Sequence, residues 1–505
     1  MPVGQQVTRR TLLRAAAASA VAGVAAGCTS EVGSPQPAPA TSTGPSSRPA
    51  DPPDWAALRK KLRGGLVLPA DDGYAAAAQV YNPLFDGRRP AAIARCERPE
   101  DVQACVAAAA GRVPIAARSG GHSYAGYSNQ DKALIVDLGP MSAVDTRGPT
   151  AEIGAGARLI DVYDGLSVEG RCLPGGSCPS VGIAGLTLGG GIGVLSRKFG
   201  LTCDHLESAQ VVKADGSLVT ASAESEPDLF WALRGGGGGN FGIVTSFTFS
   251  TVVAPAALTV FSLQFPTGSA ADVVEAWQNW ADGPAEMWSN CVVSAGSPPS
   301  VRVGGCFVGS PELCRIHLNR FFALAPEPTS ELVTAKSYLD TMRYFAGCLE
   351  RSVEQCRPAA QGGALERESF VASSRILAKP VGDPAALVSL LDGRSGLDLL
   401  LDSLGGQVSF TRPEQTAFPH RDALASAQIY ANASAGRQSA TRQVHEVLED
   451  LGRLTGQLAY VNYIDPNMPN WESAYYGGNI SRLQDIAGRY DPDGVFAFAQ
   501  GIKPR

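Results

Sequence analysis

The chain has 505 residues, of which 44% are hydrophobic and 18% are charged. This composition is typical of a globular protein, and the length predicts more than one domain. The 42 basic and 48 acidic residues give a formal net charge of −6, which argues against nucleic acid or an anionic membrane surface as the main partner. The five histidines stand apart and no two cysteines have CxxC spacing, so no metal site is predicted.

Residues 1–27 are predicted to be an export signal rather than part of the fold. Arg9 and Arg10 precede a short Ala-rich run that ends in AAGC at Cys28. This pattern resembles a twin-arginine signal with a lipoprotein cleavage site, so we expect export and a lipid anchor on Cys28. A plain secretory signal with an incidental cysteine is the alternative, because Ala25 stands where such a site usually has leucine. Residues 28–54 are rich in Pro, Ser, Thr and Ala, which predicts a disordered spacer.

Residues 74–250 alternate between helix and strand signals and form the first predicted domain. A helix is expected over 98–112, because Pro99 and two acids open the segment and Gly111 closes it. Apolar runs predict strands that lie on both sides of glycine-rich turns. A hairpin is expected over 206–222, with Asp215 and Gly216 at its turn.

Residues 251–455 have a different texture and form the second predicted domain. Alternating strands are separated by amphipathic helices, which predicts an antiparallel sheet covered by helices. One of the predicted strands is QVSFT, residues 407–411. Residues 456–505 form a closing segment rich in aromatic side chains.

The eleven cysteines permit disulfides in an exported chain. Cys348 with Cys356 and Cys291 with Cys306 are the close pairs, and spacing alone does not fix the connectivity. A nicotinamide-binding Rossmann domain is not predicted. GAGARL at 154–159 and GGGIGVLS at 189–196 both lack the third glycine of that fingerprint.

Several motifs occur together in the chain. RSGGHSY at 118–124 is followed by GGSCPSVGIAGLTLGGGIG around Cys178, and YVNYID at 460–465 precedes RYDPDGVFAFAQGI near the end. As a set they closely resemble the berberine-bridge-enzyme-like branch of the FAD-linked oxidases, which includes the gluco-oligosaccharide oxidases. The resemblance implies an α+β fold, with a PCMH-type FAD-binding domain of two subdomains over 74–250. It also implies a substrate domain with an antiparallel sheet over 251–455 and a C-terminal segment that returns to the FAD domain.

The resemblance implies FAD held by two covalent bonds, from His122 to the 8α-methyl carbon and from Cys178 to C6 of the ring. An imidazole and a thiol on glycine-rich segments approach a flat ring without Cβ crowding. Each has an ordinary alternative: a turn histidine bonded to backbone, and a buried or disulfide cysteine. Further cofactor contacts are implied for Arg118, Ser119, Gly120, Gly121, Ser123, Val181, Gly182, Gly185, Gly190, Ile243, Val244, Tyr460 and Asn462.

The resemblance also implies that Tyr463 is the base that removes the substrate proton. A tyrosine ionises near pH 10, so it needs a neighbour that stabilises phenolate or takes the proton. Asp465 is near in sequence, and ordinary aromatic packing is the alternative for Tyr463. Val181 stands where a valine marks oxidases and a bulkier leucine or isoleucine marks dehydrogenases, which indicates O2 as the electron acceptor. Leu186 departs from the family, since many relatives have a histidine there beside the flavin N1–C2 carbonyl.

The substrate is the least determined part of the prediction. Arg421, Gln428 and Tyr430 alternate along a predicted strand, which is consistent with side chains that face the flavin or with sheet surface. A sugar, an oligosaccharide or a secondary-metabolite alcohol is expected. An exported oxidase that forms H2O2 is the main hypothesis; a flavodehydrogenase that reduces a quinone or protein and a non-catalytic binding lipoprotein are the alternatives.

Overall fold

The computed structural model describes residues 51–505. The predicted signal, Cys28 and nearly all of the predicted spacer therefore lie outside the described residues. The strands are β1 (Leu66–Val67), β2 (Ala92–Arg95), β3 (Ile115–Arg118), β4 (Leu134–Asp137), β5 (Val144–Arg147), β6 (Thr150–Gly154), β7 (Arg171–Cys172), β8 (Leu206–Val212), β9 (Leu218–Ser222), β10 (Ile243–Ser250), β11 (Val252–Val253), β12 (Leu258–Gln264), β13 (Met287–Ser294), β14 (Ser300–Val308), β15 (Ser330–Lys336), β16 (Phe370–Leu377), β17 (Leu397–Ser403) and β18 (Ala425–Asn432).

The α-helices are α1 (Trp55–Lys61), α2 (Tyr74–Ala77), α3 (Pro99–Ala109), α4 (Leu159–Val168), α5 (Ile183–Leu188), α6 (Ser196–Phe199), α7 (Pro227–Ala232), α8 (Ala270–Trp280), α9 (Pro311–Phe322), α10 (Tyr338–Phe345), α11 (Pro384–Ser389), α12 (Arg437–Thr455), α13 (Trp471–Tyr476) and α14 (Ile480–Tyr490). The helix expected over 98–112 is α3, and Pro99 occupies its first position, where the missing N–H costs nothing.

The first sheet has four strands in the order β1-β2-β4-β3. β4 runs parallel to both β2 and β3, and its residues Leu134, Ile135 and Val136 are completely buried. Parallel strands are normally covered on both faces, which explains why this run is continuously apolar. β1 lies before residue 74 and pairs with β2. The sheet therefore uses a segment that the sequence left unassigned, and β3 leads directly into the glycine loop at 119–123.

The second sheet has five strands in the order β5-β6-β10-β8-β9, all antiparallel. The hairpin expected over 206–222 is the pair β8 and β9. Gly216 has φ +80°, a left-handed conformation that glycine adopts without strain. β10 pairs with β6 from Ser246 onward, whereas Ile243 and Val244 pair with β8.

The third sheet has seven antiparallel strands in the order β15-β12-β14-β13-β17-β18-β16. Helix α12 packs on β16 and β18, and α8 packs on β13 and β14. The predicted antiparallel sheet with covering helices is therefore confirmed. The strand expected at QVSFT is wrong, since residues Gly406–Phe410 form a 3-10 turn. Gly405 and Gly406, which follow β17, both have positive φ. They turn the chain after β17, so residues 407–411 do not continue as a strand of the sheet.

The C-terminal segment packs back onto the first part of the chain. Arg482 and Arg489 on α14 both contact the carboxylate of Asp228 on α7, at 3.0 and 2.5 Å. The backbone N–H of Ile502 donates to Asn240 Oδ1 at 2.9 Å. These contacts bring the residues after 456 to the same side of the molecule as the glycine-rich loops.

Within residues 51–505, two cysteines are bonded to each other and the others are free thiols. Cys348 and Cys356 form a disulfide. Cys291 and Cys306 do not pair, because Cys291 lies opposite Val303 and Cys306 lies opposite Trp288 in the β13–β14 register. Residues 51–505 contain no group of three or more metal-ligating side chains and no helix of the length and apolar character that crossing a bilayer requires.

Candidate active site

A cavity of about 360 Å³ lies between the glycine-rich loops and the seven-stranded sheet. Two walls enclose it. The cofactor wall is formed by residues lining the cavity within 119–123, 176–186 and 237–244. The substrate wall is formed by side chains of the seven-stranded sheet, namely Trp288, Asn290, Phe370, Leu400, Asp402, Gln428 and Tyr430.

The histidine loop leaves β3 and turns sharply at Gly121, whose φ is +70°. Its carbonyl accepts a hydrogen bond from the N–H of Tyr81 at 3.1 Å. The Tyr81 ring stacks on the His122 imidazole with centroids 4.0 Å apart and an interplanar angle of 19°. The turn and the stacked ring together fix where the imidazole enters the cavity.

The cysteine segment meets the histidine loop at Ser180. His122 Nε2 lies 2.9 Å from Ser180 Oγ, and Cys178 Sγ lies 3.8 Å from the same oxygen. His122 and Cys178 are half-buried and line the cavity. The structure therefore brings together the two side chains that the sequence predicted to hold the flavin ring.

The backbone of the cofactor wall forms a cradle that only glycine allows. A Cβ on Gly120 would collide with the backbone of Ser180 and Gly182, whereas a Cβ on Gly185 would meet no protein atom within 4 Å. Gly237 and Gly239 have φ +84° and +81° and turn the third loop toward the cavity. The close backbone contact at Gly120 and the open space at Gly185 fit a flat, phosphate-bearing cofactor such as FAD.

The other implied FAD contacts are also cavity residues: Ser119, Ser123, Val181, Ile243 and Val244. Ser119 Oγ donates to the carbonyl of Ala155 at 2.6 Å, and Ser123 Oγ accepts from the N–H of Tyr127 at 3.1 Å. Both serines therefore stiffen the loop, which leaves backbone groups of the loop to face a ligand.

Tyr460 and Asn462 join the C-terminal segment to the cofactor wall. The Tyr460 hydroxyl accepts hydrogen bonds from the N–H of Gly191 at 3.0 Å and from Asn462 Nδ2 at 2.9 Å. Asn462 Nδ2 also donates to the carbonyl of Leu186 at 3.0 Å. Burial raises the pKa of Tyr460 to about 12, so Tyr460 stays protonated. Its role is to link the C-terminal segment to the cofactor wall through hydrogen bonds.

Tyr463 lies in a 3-10 turn, Val461–Tyr463, rather than on a strand. Its ring stacks on Tyr124 at 5.4 Å with an interplanar angle of 7°, and Tyr460 meets it edge-on at 5.1 Å. Tyr463 lines the cavity. Two aromatic neighbours therefore hold the Tyr463 ring in place at the cavity.

Asp465 is not a cavity residue. It is 1% exposed, and its Oδ1 accepts from the N–H of Asn467 at 2.9 Å. Its Oδ2 lies 3.5 Å from Nε2 of His445 on α12. Asp465 therefore pairs with His445 on α12 and does not line the cavity that Tyr463 lines.

The substrate wall carries both polar and aromatic side chains. Gln428 Nε2 donates to the Tyr124 hydroxyl at 2.7 Å. Phe370 and Tyr430 stack at 4.8 Å, and Trp288 meets Phe345 edge-on at 5.7 Å. Gln428 and Tyr430 therefore line the cavity as predicted residues of the substrate pocket.

Three predicted site residues lie outside the cavity lining. Arg421 is completely buried and forms an ion pair with Asp204 at 2.7 Å, so it anchors its segment to the residues after α6 and does not face the substrate. Arg118 pairs with Asp137 at 3.0 Å and ties β3 to β4. Gly190 has φ +115°, and a Cβ there would meet the Phe418 ring at 2.8 Å. The close packing against Phe418 therefore explains why this position is glycine.

Sequence reasoning missed seven cavity residues on or near the substrate wall: Tyr124, Trp288, Asn290, Phe345, Phe370, Leu400 and Asp402. Asp402 is the sole carboxylate that lines the cavity among residues 51–505. Asn290 and Asp402 lie directly opposite each other on β13 and β17. Period-two alternation in LDLLLDS was the available signal, since it places Asp398, Leu400 and Asp402 on one face.

Comparison with known proteins agrees with this geometry. The family described as FAD binding domain matches residues 90–222, and the family described as Berberine and berberine like matches residues 459–503. The FAD-linked oxidoreductase YgaK of Bacillus subtilis is 33% identical over 466 residues, which cover 88% of this chain and 98% of that protein. The chitooligosaccharide oxidase of Gibberella zeae is 33% identical over 445 residues, 82% of this chain and 88% of that protein. The solved structure of Physcomitrella patens BBE-like 1 superposes with a TM-score of 0.83 at 29% identity, covering 89% of this chain and 99% of that one.

Proposed function

Because the chain belongs to the berberine-bridge-enzyme-like family of FAD-linked oxidoreductases, we propose that it is an exported oxidase of a hydroxyl-bearing small molecule. In this proposal the substrate gives hydride to FAD, and O2 takes up the electrons to form H2O2. The observation that carries the proposal is one cavity lined by His122, Cys178 and Tyr463, which come from distant parts of the chain.

FAD accepts hydride at its ring when it is bound. We propose that His122 and Cys178 hold the ring covalently from two edges, and that the loop at 119–123 binds the pyrophosphate. Ile243 and Val244 are proposed to meet the adenine through their main chain. The glycine contacts of the cofactor wall support this assignment, because side chains at Gly120 or Gly182 would break the wall that the ring rests on.

Tyr463 is proposed as the base that takes the substrate hydroxyl proton. The group that receives the proton in turn is proposed to be Asp402, since it is the sole carboxylate of the cavity within the described residues. Phenol and carboxylate differ widely in their usual pKa values. Asp402 therefore accepts a hydrogen bond from the Tyr463 hydroxyl, directly or through one water, and receives that proton in the same step in which Tyr463 takes the substrate proton. No phenolate is then left beside the carboxylate.

The substrate proposed is a sugar or short oligosaccharide. The aromatic faces of Trp288 and Tyr430 suit the apolar faces of pyranose rings, while Asn290 and Gln428 supply amide groups for hydroxyls. The chitooligosaccharide oxidase of Gibberella zeae supports this substrate class by its name. A secondary-metabolite alcohol is retained as the second class.

The two candidate functions differ in their electron acceptor. Val181 lines the cavity, and a small side chain there leaves room for O2. A flavodehydrogenase with a quinone or protein acceptor is the second candidate, and Leu186 favours it. Leu186 also lines the cavity, and the described cavity residues include no Lys or Arg to balance negative charge on a reduced ring.

Export and lipid anchoring are proposed from the leader alone. Arg9, Arg10 and the AAGC segment at Cys28 support a twin-arginine lipoprotein. Covalent FAD suits an exported enzyme, because a bonded cofactor cannot diffuse away.

Mass spectrometry of the purified protein tests the central step. We expect one FAD to remain attached after denaturation and to map to the peptides that contain His122 and Cys178. The absence of such an adduct would show that the attachment is wrong. Turnover of oligosaccharides under air should then yield H2O2 in proportion to product. Product without H2O2, together with fast reduction of a quinone, would identify the dehydrogenase instead.

A further inference from the structure

A single hydroxyl lies between the two side chains that are proposed to bond the flavin. Ser180 Oγ is 2.9 Å from His122 Nε2 and 3.8 Å from Cys178 Sγ. Ser180 is 1% exposed. The chain places this residue only two positions after the cysteine, yet its bond to the imidazole crosses between two separate loops.

The backbone holds Ser180 in this position. The N–H of Val181 donates to the carbonyl of Cys178 at 3.3 Å and closes a turn around Ser180. The carbonyl of Ser180 accepts from Arg158 Nη1 at 3.4 Å. Since the main chain is fixed on both sides and the side chain has one torsion, the hydroxyl oxygen has little freedom to leave the His122–Cys178 pair.

We propose that Ser180 is a positioning residue for the covalent attachment of FAD, which rests on the proposed function above. A serine hydroxyl donates one hydrogen bond and accepts two. With the imidazole proton on Nε2, Ser180 Oγ accepts that N–H and turns its own hydrogen toward Cys178 Sγ. One group therefore orients the imidazole and directs a hydrogen-bond donor at the sulfur that bonds C6.

The attachment is an oxidation, so the atoms and electrons must be accounted for. At His122 an N–H bond and a C–H bond of the 8α-methyl group are replaced by one N–C bond. At Cys178 an S–H bond and the ring C6–H bond are replaced by one S–C bond. Each attachment releases two protons and two electrons, and O2, the acceptor in the proposed function, takes them up as H2O2. Ser180 contacts both groups that lose a proton.

The test compares attachment, rather than turnover, in the full chain supplied with FAD. The variants are Ser180→Ala, which removes the hydroxyl, and Ser180→Thr, which keeps it. Ser167→Ala is the matched control, because it removes a hydroxyl on α4 that donates to the carbonyl of Asp164 at 2.8 Å and does not line the cavity. Total flavin is measured by absorbance, attached flavin by acid precipitation, and the number of bonds at each residue by peptide mass spectrometry over time.

We expect Ser180→Ala to bind FAD and to attach it roughly tenfold more slowly or worse, the size of effect that one lost hydrogen bond supports. Ser180→Thr should restore the rate, and Ser167→Ala should match the unchanged protein. Equal attachment in Ser180→Ala, or slow attachment in Ser180→Thr, overturns the proposal. Loss of non-covalent flavin as well in Ser180→Ala shows a merely structural role and also overturns it.

The same experiment separates this inference from the proposed function. If the unchanged protein carries FAD without any covalent bond, bicovalent attachment itself is wrong and the role of Ser180 falls with it. If the unchanged protein is fully attached and Ser180→Ala is equally so, only the role of Ser180 is wrong.

Discussion

The cofactor wall and the substrate wall of the cavity are built in different ways. The cofactor wall consists of three loops whose backbones approach each other closely, as the Gly120–Gly182 contact shows. The substrate wall consists of alternate side chains on neighbouring strands, such as Asn290 and Asp402 on β13 and β17. One wall depends on where the backbone goes, and the other depends on which side chains the register brings together.

This difference decides how substitutions should act. A change on the cofactor wall adds atoms to a backbone contact, so it should alter folding and cofactor binding first. A change on the substrate wall replaces one side chain on a rigid sheet, so it should alter turnover while the flavin stays in place. A cofactor-wall substitution that changed only turnover, or a substrate-wall substitution that released the flavin, would contradict this difference.

The largest effect is expected for Tyr463→Phe, at the boundary of the two walls. Loss of a general base typically costs about 10²- to 10⁴-fold in rate, and we expect that decrease in kcat. The ring still stacks on Tyr124, so flavin content and thermal stability should stay unchanged. Steady-state kinetics and flavin absorbance measure the two properties, and an unchanged kcat would exclude Tyr463 as the base.

Asp402→Asn is the companion of that variant. If Asp402 receives the Tyr463 proton, the amide should lower kcat in the same direction, and adding it to Tyr463→Phe should produce little further loss. Residues that act as a unit give non-additive effects of this kind. Full additivity of the two losses would place Asp402 in substrate binding instead.

A smaller effect, mainly on stability, is expected for Gly120→Ala on the cofactor wall. The added Cβ would collide with the backbone of Gly182 and Ser180, so we expect a loss of about 1–3 kcal/mol in the free energy of unfolding. Gly185→Ala is the control, because its Cβ meets no protein atom within 4 Å. It should leave the flavin-depleted protein as stable as before and weaken FAD binding. Urea unfolding and flavin titration distinguish them, and equal stability of Gly120→Ala would contradict the close backbone contact.

The two walls also differ in how much of them the sequence predicts. His122 and Cys178 belong to contiguous glycine-rich motifs. A wall built from close backbone contacts requires glycine, and these glycines can be recognised in the sequence. Asp402 and Asn290 were missed because they become neighbours only when β13 pairs with β17. The register of that pairing cannot be predicted from either strand segment alone. Arg421 shows the converse error. It was predicted together with Gln428 and Tyr430, yet it precedes β18 and forms an ion pair with Asp204.

The smallest effect is expected at the His445–Asp465 pair, which does not line the cavity. The contact with Asp465 raises the pKa of His445 above its usual 6.5. A raised folded-state pKa means that the pair stabilises the protein fully below the unfolded value of about 6.5, and that this stabilisation is lost as the pH rises through the folded value. His445→Gln should therefore lower the urea midpoint most in mildly acidic buffer, with the difference from the unchanged protein closing in alkaline buffer. Because neither His445 nor Asp465 lines the cavity, kcat and flavin content of this variant should match the unchanged protein at every pH. A midpoint difference that grows with pH would show that His445 is neutral in the fold, and a change in kcat would show that the pair reaches Tyr463 through the short turn between them.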